Sequence, residues 1–315
     1  GGTVVFGVKE NNYLGKGLAV EAETTVTAES FKGLLSVNNP NYRNSDKSLF
    51  ATLQSLEIDQ LADYGYKTNK TGFEIGTRFE YLEDLNFGLS TSSFYENIET
   101  DSTASARQKS QKGDYWDTFV KLDLNQDKRN QKFRTSDGYI SNYSINIPVI
   151  SDNNTLTNTY LYKVFGELYE NNISSLSFYV QAANSITGDD IKLTERLSIP
   201  SRRLRGFERG KVGPVDGSDH IGGNYAAALN LEANLPNFLP EDSKTDVSLF
   251  LDFGNVWGVD YDTTIDESNE LRSSTGVAIN WLSPLGPMSF VFSQNLSKAD
   301  TDVTESFSFN IGTTF

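Results

Sequence analysis

Apolar and polar residues alternate along almost the whole chain. In the last segment Phe307, Phe309, Ile311, Thr313 and Phe315 fall on one face, with Ser306, Ser308, Asn310 and Gly312 on the other. The same two-residue period runs through Met288, Phe290 and Phe292, through Val277, Ile279 and Trp281, and through Val247, Leu249, Leu251 and Phe253. Further back it passes through Leu229 and Leu231, Leu176 and Phe178, Leu122 and Leu124, Leu49 and Leu53, and Val4, Phe6 and Val8. Successive side chains of a strand point to opposite faces, so this period is that of a strand with one apolar side. No segment sustains the 3.6-residue period of an amphipathic helix. The pattern predicts an all-β chain of about fifteen strands.

The connections sharpen that prediction. Short turns such as Tyr81–Asp84 and Ser283–Pro287 trade places with long polar loops such as Asn97–Asp114, Thr187–Gly223 and Gly258–Glu270. Short turns on one rim and long loops on the other are the signature of a transmembrane, antiparallel, up-and-down β-barrel of the bacterial outer membrane. Tyr115, Trp116, Trp257 and Trp281 stand near strand ends, where an aromatic girdle is expected. Bacterial single-chain barrels have even strand numbers, so sixteen are expected, with the first strand upstream of Gly1. An unpaired edge in lipid would cost several kcal/mol per backbone group. Residues 1–315 read as a single barrel domain whose longest loop spans about 187–223.

Composition agrees. The hydrophobic fraction of 37% is low for a soluble protein of 315 residues, but a barrel with a wet lumen needs apolar residues only at alternate positions. No run approaches the roughly 18–20 apolar residues of a membrane helix. Gly1 opens no signal-peptide pattern, so the chain is expected to start inside a mature protein. The absence of cysteine excludes disulfides and thiolate metal sites, and a net charge of −15 argues against nucleic-acid partners. No residue pattern asks for a metal or a cofactor.

The longest loop carries Leu204-Arg205-Gly206-Phe207-Glu208-Arg209-Gly210, then Val212-Gly213-Pro214 and Gly222-Gly223-Asn224. After it come Leu231-Glu232-Ala233-Asn234-Leu235-Pro236, Phe250-Leu251-Asp252-Phe253-Gly254-Asn255-Val256-Trp257, Arg272-Ser273-Ser274-Thr275-Gly276 and Trp281-Leu282-Ser283-Pro284-Leu285-Gly286-Pro287. In that order and spacing, from about Arg202 to Phe315, the chain resembles the C-terminal part of the BamA superfamily of barrel-insertion and translocation factors. Upstream the likeness thins to strand-and-turn spacing.

The residues themselves allow a role. If Leu231 and Leu251 point outward, Glu232 and Asp252 point into the lumen, where an Arg on an infolded loop would pair with both. The planar guanidinium fork suits two carboxylates and stays ionised. The resemblance implies that this arginine is Arg205, in a lock motif of Leu204, Arg205, Gly206 and Phe207. Gly206 supplies the tight turn, and Phe207 anchors the loop tip on the inner wall. A plain structural role, plugging and stiffening a wide barrel, fits the same residues.

The terminal strand, with Phe307, Phe309, Ile311, Gly312 and Phe315, is by resemblance an assembly signal and one side of a lateral seam. Any lipid-facing strand also looks like this. The implied function is an insertase that folds client barrels into the outer membrane by strand pairing at that seam. Implied partners are unfolded outer-membrane clients, the surrounding lipids and, through upstream periplasmic domains, accessory lipoproteins. A translocation-type relative and a diffusion porin are the other readings. An enzyme is not expected: the one histidine, His220, reads as a solvated loop residue, and no nucleophile or metalloprotease motif is present.

Overall fold

The computed structural model describes residues 2–60, 65–132, 135–235, 239–259, 265, 268–284 and 286–314. Pro236, Leu285 and Phe315 of the motifs above lie outside the described residues. The strands are β1 (Gly2–Tyr13), β2 (Leu18–Thr27), β3 (Ser30–Asn39), β4 (Ser48–Gln60), β5 (Tyr66–Leu82), β6 (Leu85–Thr100), β7 (Gly113–Asp127), β8 (Gly138–Ser151), β9 (Thr155–Tyr169) and β10 (Asn172–Ser185). A small hairpin, β11 (Val215–Asp216) and β12 (Asp219–His220), lies within the longest loop. The series ends with β13 (Tyr225–Asn234), β14 (Thr245–Trp257), β15 (Arg272–Ser283), β16 (Gly286–Ser297) and β17 (Phe307–Thr314).

All strands except β11 and β12 form one closed barrel, each pairing antiparallel with its neighbours in sequence. The fifteen barrel strands close on themselves by pairing β1 with β17. An up-and-down meander of odd number brings its first and last strands together pointing the same way, and this pair is parallel, from Gly2↔Phe309 to Gly7↔Thr314. Within the described residues, β17 therefore closes on β1. On its other side β17 meets β16 only from Met288↔Ile311 to Phe292↔Phe307. By comparison, β5 and β6 pair from Tyr66↔Thr100 to Leu82↔Leu85. Parallel ladders are also slightly weaker per residue. β17 is thus held less firmly than the strands of the opposite wall.

Alternation sets the faces. Val4, Phe6 and Val8 of β1, Phe31 and Leu35 of β3, Leu53 of β4, Ile75 of β5, Leu249 of β14, and Phe292 and Phe307 of β16 and β17 are all exposed on the outside. No soluble protein leaves so continuous an apolar belt uncovered, whereas lipid covers it. At the seam, the ring of Phe309 lies on this outer face over Gly2, where a Cβ would come 2.3 Å from its tip. The Phe292, Phe307 and Phe309 rings continue outward as a stack, with centroids 5.1 and 6.3 Å apart.

Trp116 and Trp281 face outward near strand ends, but Tyr115 does not belong to a girdle. It lies on the inward parity of β7 with buried Asp117, beneath the ammonium of Lys192 at 4.5 Å. A residue one position from an outward tryptophan must point inward.

The long connections cluster on the rim where β10 ends and β13 begins. One of them, 101–112, carries a single helical turn, α1 (Ala106–Ser110), closed by a reciprocal cap between Ser105 and Gln108.

Placing a charge on the belt tests this orientation. Leu53→Arg should destabilise the barrel by about 2–4 kcal/mol in urea unfolding from lipid vesicles, and Gln54→Arg, on the lumen side, by less than about 1 kcal/mol. Equal costs at the two positions would contradict a lipid-facing Leu53.

Candidate functional site

The connection 186–224 runs back into the barrel. It can do so because the inner wall offers small residues where it packs. Ala183 of β10 and Ala226 and Ala228 of β13 form one buried cluster with Ile191, Leu197, Ile199, Leu204, Phe207 and Val212 of the loop. Phe207 is 3% exposed. Burying such side chains is worth roughly 1.5–3 kcal/mol each, which offsets much of the ordering entropy of a long loop.

Above this apolar footing sits Arg205. Its Nε and Nη2 donate to Asp252 Oδ2 and Oδ1, both at 2.8 Å, while Nη1 donates to Glu232 Oε2 at 2.8 Å. Its backbone N–H also donates to Asp252, at 3.1 Å. Asp252 has no exposed side-chain surface, whereas Glu232 keeps 31%. The guanidinium lies over the inward ring of Phe250 at 3.7 Å, and that ring in turn occupies the space a Cβ on Gly276 would need. Burial opposes the charge on Arg205, but the two carboxylates outweigh burial and hold its pKa above the ordinary arginine value.

Gly206 adopts φ +91°, a left-handed conformation that a side chain would strain. The turn it makes sends the chain toward the loop between β16 and β17. There Glu305 N–H donates to Gly206 O at 3.1 Å and Glu208 N–H to Val303 O at 2.9 Å, and Phe207 bridges to Thr304. Asn295 Nδ2 donates to Gly206 O at 2.8 Å, and the Ser274 hydroxyl donates to Arg205 O. The structure thus brings together Leu204, Arg205, Gly206, Phe207, Glu232 and Asp252. It places Phe307, Phe309, Ile311 and Gly312 elsewhere, on the strand of the seam.

Several members were not singled out from sequence. Phe250, Asn230, Ser274 and Asn295 take inward positions on β13 to β16, and Asn230 Nδ2 donates to both Asp252 Oδ1 (2.9 Å) and Arg203 O (2.8 Å). The parity of each strand would have placed them in the lumen, but only the loop's path makes them partners.

The largest omission is a second anchor. Lys192, near the start of the loop, contacts Glu96 of β6 at 2.6 Å and Asp117 of β7 at 2.8 Å, and all three are at least 95% buried. The two acids overcome the burial that disfavours the ammonium and raise its pKa. Two inward carboxylates on adjacent strands signalled a missing cation; nothing local named it. Among the described residues Glu96, Asp117 and Glu195 form the one carboxylate group close enough to hold a metal ion. Lys192 supplies positive charge to two of those acids, and Lys70 lies 3.5 Å from the third.

A third pair, Arg272 with Asp302, is fully buried where β15 meets the loop after β16, with contacts of 2.9 and 2.8 Å.

His220 corrects the sequence expectation. It is half-buried on the wall of the lumen cavity rather than solvated, and burial holds its pKa below the ordinary histidine value. The β11–β12 hairpin, folded back with the loop, carries it there.

Arg205→Ala should cost about 3–5 kcal/mol in urea unfolding, because Asp252 would be left charged and buried. Arg205→Lys should recover only part, lacking the fork. Asp252→Asn should cost more than Glu232→Gln, which has solvent to turn to. Lys192→Met should speed hydrogen exchange across Leu193–Arg196 while leaving exchange at Arg205 near its original rate. Unchanged exchange at Leu193 would show that Lys192 does not hold the loop.

Comparison with known proteins places the chain in a family. The model of the Omp85 superfamily domain matches residues 12–315. The outer membrane protein assembly factor BamA of Neisseria meningitidis serogroup B is 35% identical over 139 residues, covering 36% of this chain and 17% of that protein. That match therefore spans under a fifth of the relative's length. The crystal structure of BamA from Haemophilus ducreyi lacking POTRA domains 1–3 superposes with a TM-score of 0.83 at 21% identity, over 96% of this chain and 65% of that one. CdiB from Acinetobacter baumannii follows at a TM-score of 0.62 and 10% identity, covering 96% and 54%. These two likenesses concern the fold. With its lipid-facing belt, the molecule is an outer-membrane barrel. The chain belongs to the Omp85 superfamily.

Proposed function

We propose that this barrel is the membrane part of an outer-membrane protein assembly factor, and that it inserts client β-barrels by pairing with their strands at the β1–β17 seam. The observation that carries the reading is the thin attachment of β17, which meets β1 over six residue pairs and β16 over five. A strand so held exposes backbone donors and acceptors when the pair opens, and an incoming strand satisfies them. The reaction needs no nucleotide, covalent step or cofactor, and the protein is no enzyme. The free energy comes from the client, which buries apolar strands in lipid and closes its own hydrogen-bond ladder.

In this reading Arg205 is a lock. Held by Glu232 and Asp252, it keeps the loop in the lumen and ties it to the segment just before β17, so that loop and seam move as coupled parts. Phe307, Phe309 and Ile311 present the outer face of the seam to lipid and to the client. Unfolded clients, the surrounding bilayer and accessory lipoproteins docked on periplasmic domains are the partners. The likeness to CdiB supports a second reading, a translocation-type barrel that exports a secreted partner through the lumen. There, loop displacement rather than seam opening would be the productive motion.

A crosslink separates the two. In the full-length protein, Val4→Cys with Ile311→Cys, opposite one another in the seam register, should stop assembly of a client barrel in proteoliposomes when oxidised and restore it on reduction. The control, Leu35→Cys with Leu53→Cys within β3–β4, should leave assembly intact. Wild-type assembly with the seam tied would rule out the seam mechanism.

A further inference from the structure

The loop brings Arg202, Arg203 and Arg205 to the wall of one lumen cavity, and of these three Arg205 alone pairs with acids. Arg205 takes Asp252 and Glu232. Arg203 reaches Ser177 Oγ at 3.3 Å and lies over the Tyr179 ring at 4.5 Å, while its Nε is buried without a hydrogen-bond acceptor. Lys163 of β9 has the Phe165 ring 4.9 Å from its ammonium. Among the described residues neither Arg203 nor Lys163 forms an ion pair, nor does the exposed Arg202. All three line a single cavity of about 1320 Å³, together with the hydroxyls of Ser175 and Ser177.

The charge count is lopsided. The cavity wall carries eight Lys and Arg side chains, Arg196 and Arg209 among them, against five glutamates and the buried Asp252 behind Arg205. Glu208, also on the cavity wall, is turned to Lys211 at 3.3 Å. This local excess of two positive charges stands within a chain whose net charge is −15. Lys163 and Arg203 are partly withdrawn from water, where an unpaired charge is disfavoured, while Arg202 stays open to the cavity. A buried guanidinium nitrogen with no acceptor calls for a partner the chain does not supply.

We propose that Lys163, Arg202 and Arg203 form an oxyanion-binding site in the lumen, built to take a dianion of the phosphate class. Two guanidinium forks and an ammonium provide directional donors for tetrahedral oxygens, Ser175 and Ser177 add hydroxyls, and a doubly negative ligand neutralises the excess. Tyr179 keeps Arg203 flat against the wall, which fixes the direction of its fork. The site is separate from the Arg205 lock: it uses the loop cations that the lock leaves over. It does not depend on what the barrel assembles.

Isothermal titration calorimetry of the full-length protein in detergent at low ionic strength tests this, with inorganic phosphate, a dianion at mildly alkaline pH, as the probe. One equivalent should bind. Arg203→Gln and Arg202→Gln should each weaken binding by about tenfold, as expected for loss of one charge-assisted contact. Because Arg202 is exposed, its variant is expected to fold, and heat-modifiable gel mobility checks both. Lys16→Gln, in the exposed β1–β2 turn, should leave affinity unchanged. Absence of binding by the folded wild type would overturn the proposal, as would equal weakening by Lys16→Gln, which would mark a diffuse charge effect. Binding of hexaglutamate but not phosphate would also overturn it, in favour of an acidic peptide.

Discussion

One guanidinium sets the terms for the interior of this barrel. Arg205 donates from each of its three guanidinium nitrogens to carboxylates on two adjacent strands, with Phe250 against its face. Asp252 is fully buried and tolerable as an anion only because that fork is present. The loop cannot leave the lumen without exposing the mismatch, and the mismatch fixes where the loop turns. Everything placed by that turn follows: Gly206 against Asn295, Phe207 against Thr304, and Glu208 against the segment that precedes β17.

The second anchor changes the mechanical picture. Lys192 ties the start of the loop to β6 and β7, while Arg205 ties its tip region to β13 and β14. The loop is therefore a brace between two arcs of wall, not a flap hinged at one side. Its apolar face supplies adhesion, and its buried ion pairs supply position. Such pairs commonly add little net stability, since desolvation offsets much of the attraction. Here each guanidinium or ammonium selects one arrangement among many that would bury similar apolar area. The region left unbraced includes β17, whose ladders on both sides are short. Rigidity on one side and a thin closure on the other suit a barrel whose work is done at its seam.

Much of this was legible in the order of residues. Alternation assigned the lipid face of nearly every strand, because side-chain direction in a strand is a local consequence of backbone geometry. The acids Glu232 and Asp252 fell inward by the same parity. Arg205 became their partner through the ordered family motifs rather than through any rule of spacing. Tyr115, Phe250 and Asn230 lie inside by the parity of their strands, but no local pattern names the charges they meet. The closure of the barrel was not legible either. Alternation counts about fifteen strands in this chain against an expected total of sixteen, yet how fifteen close depends on curvature summed over the whole sheet.

What the sequence determined by itself is therefore the set of strands, their two faces, the long infolding loop and the chemistry available to it. The tertiary structure decided which charge meets which. Lys192 lies far along the chain from Glu96 and Asp117, and Arg272 from Asp302. Those pairings, like the cavity shared by Lys163, Arg202 and Arg203, exist only once the wall has closed and the loop has found its path across it. Local geometry is written in neighbouring residues. An ion pair between distant segments is a property of the enclosed space, and that space does not exist until the barrel does.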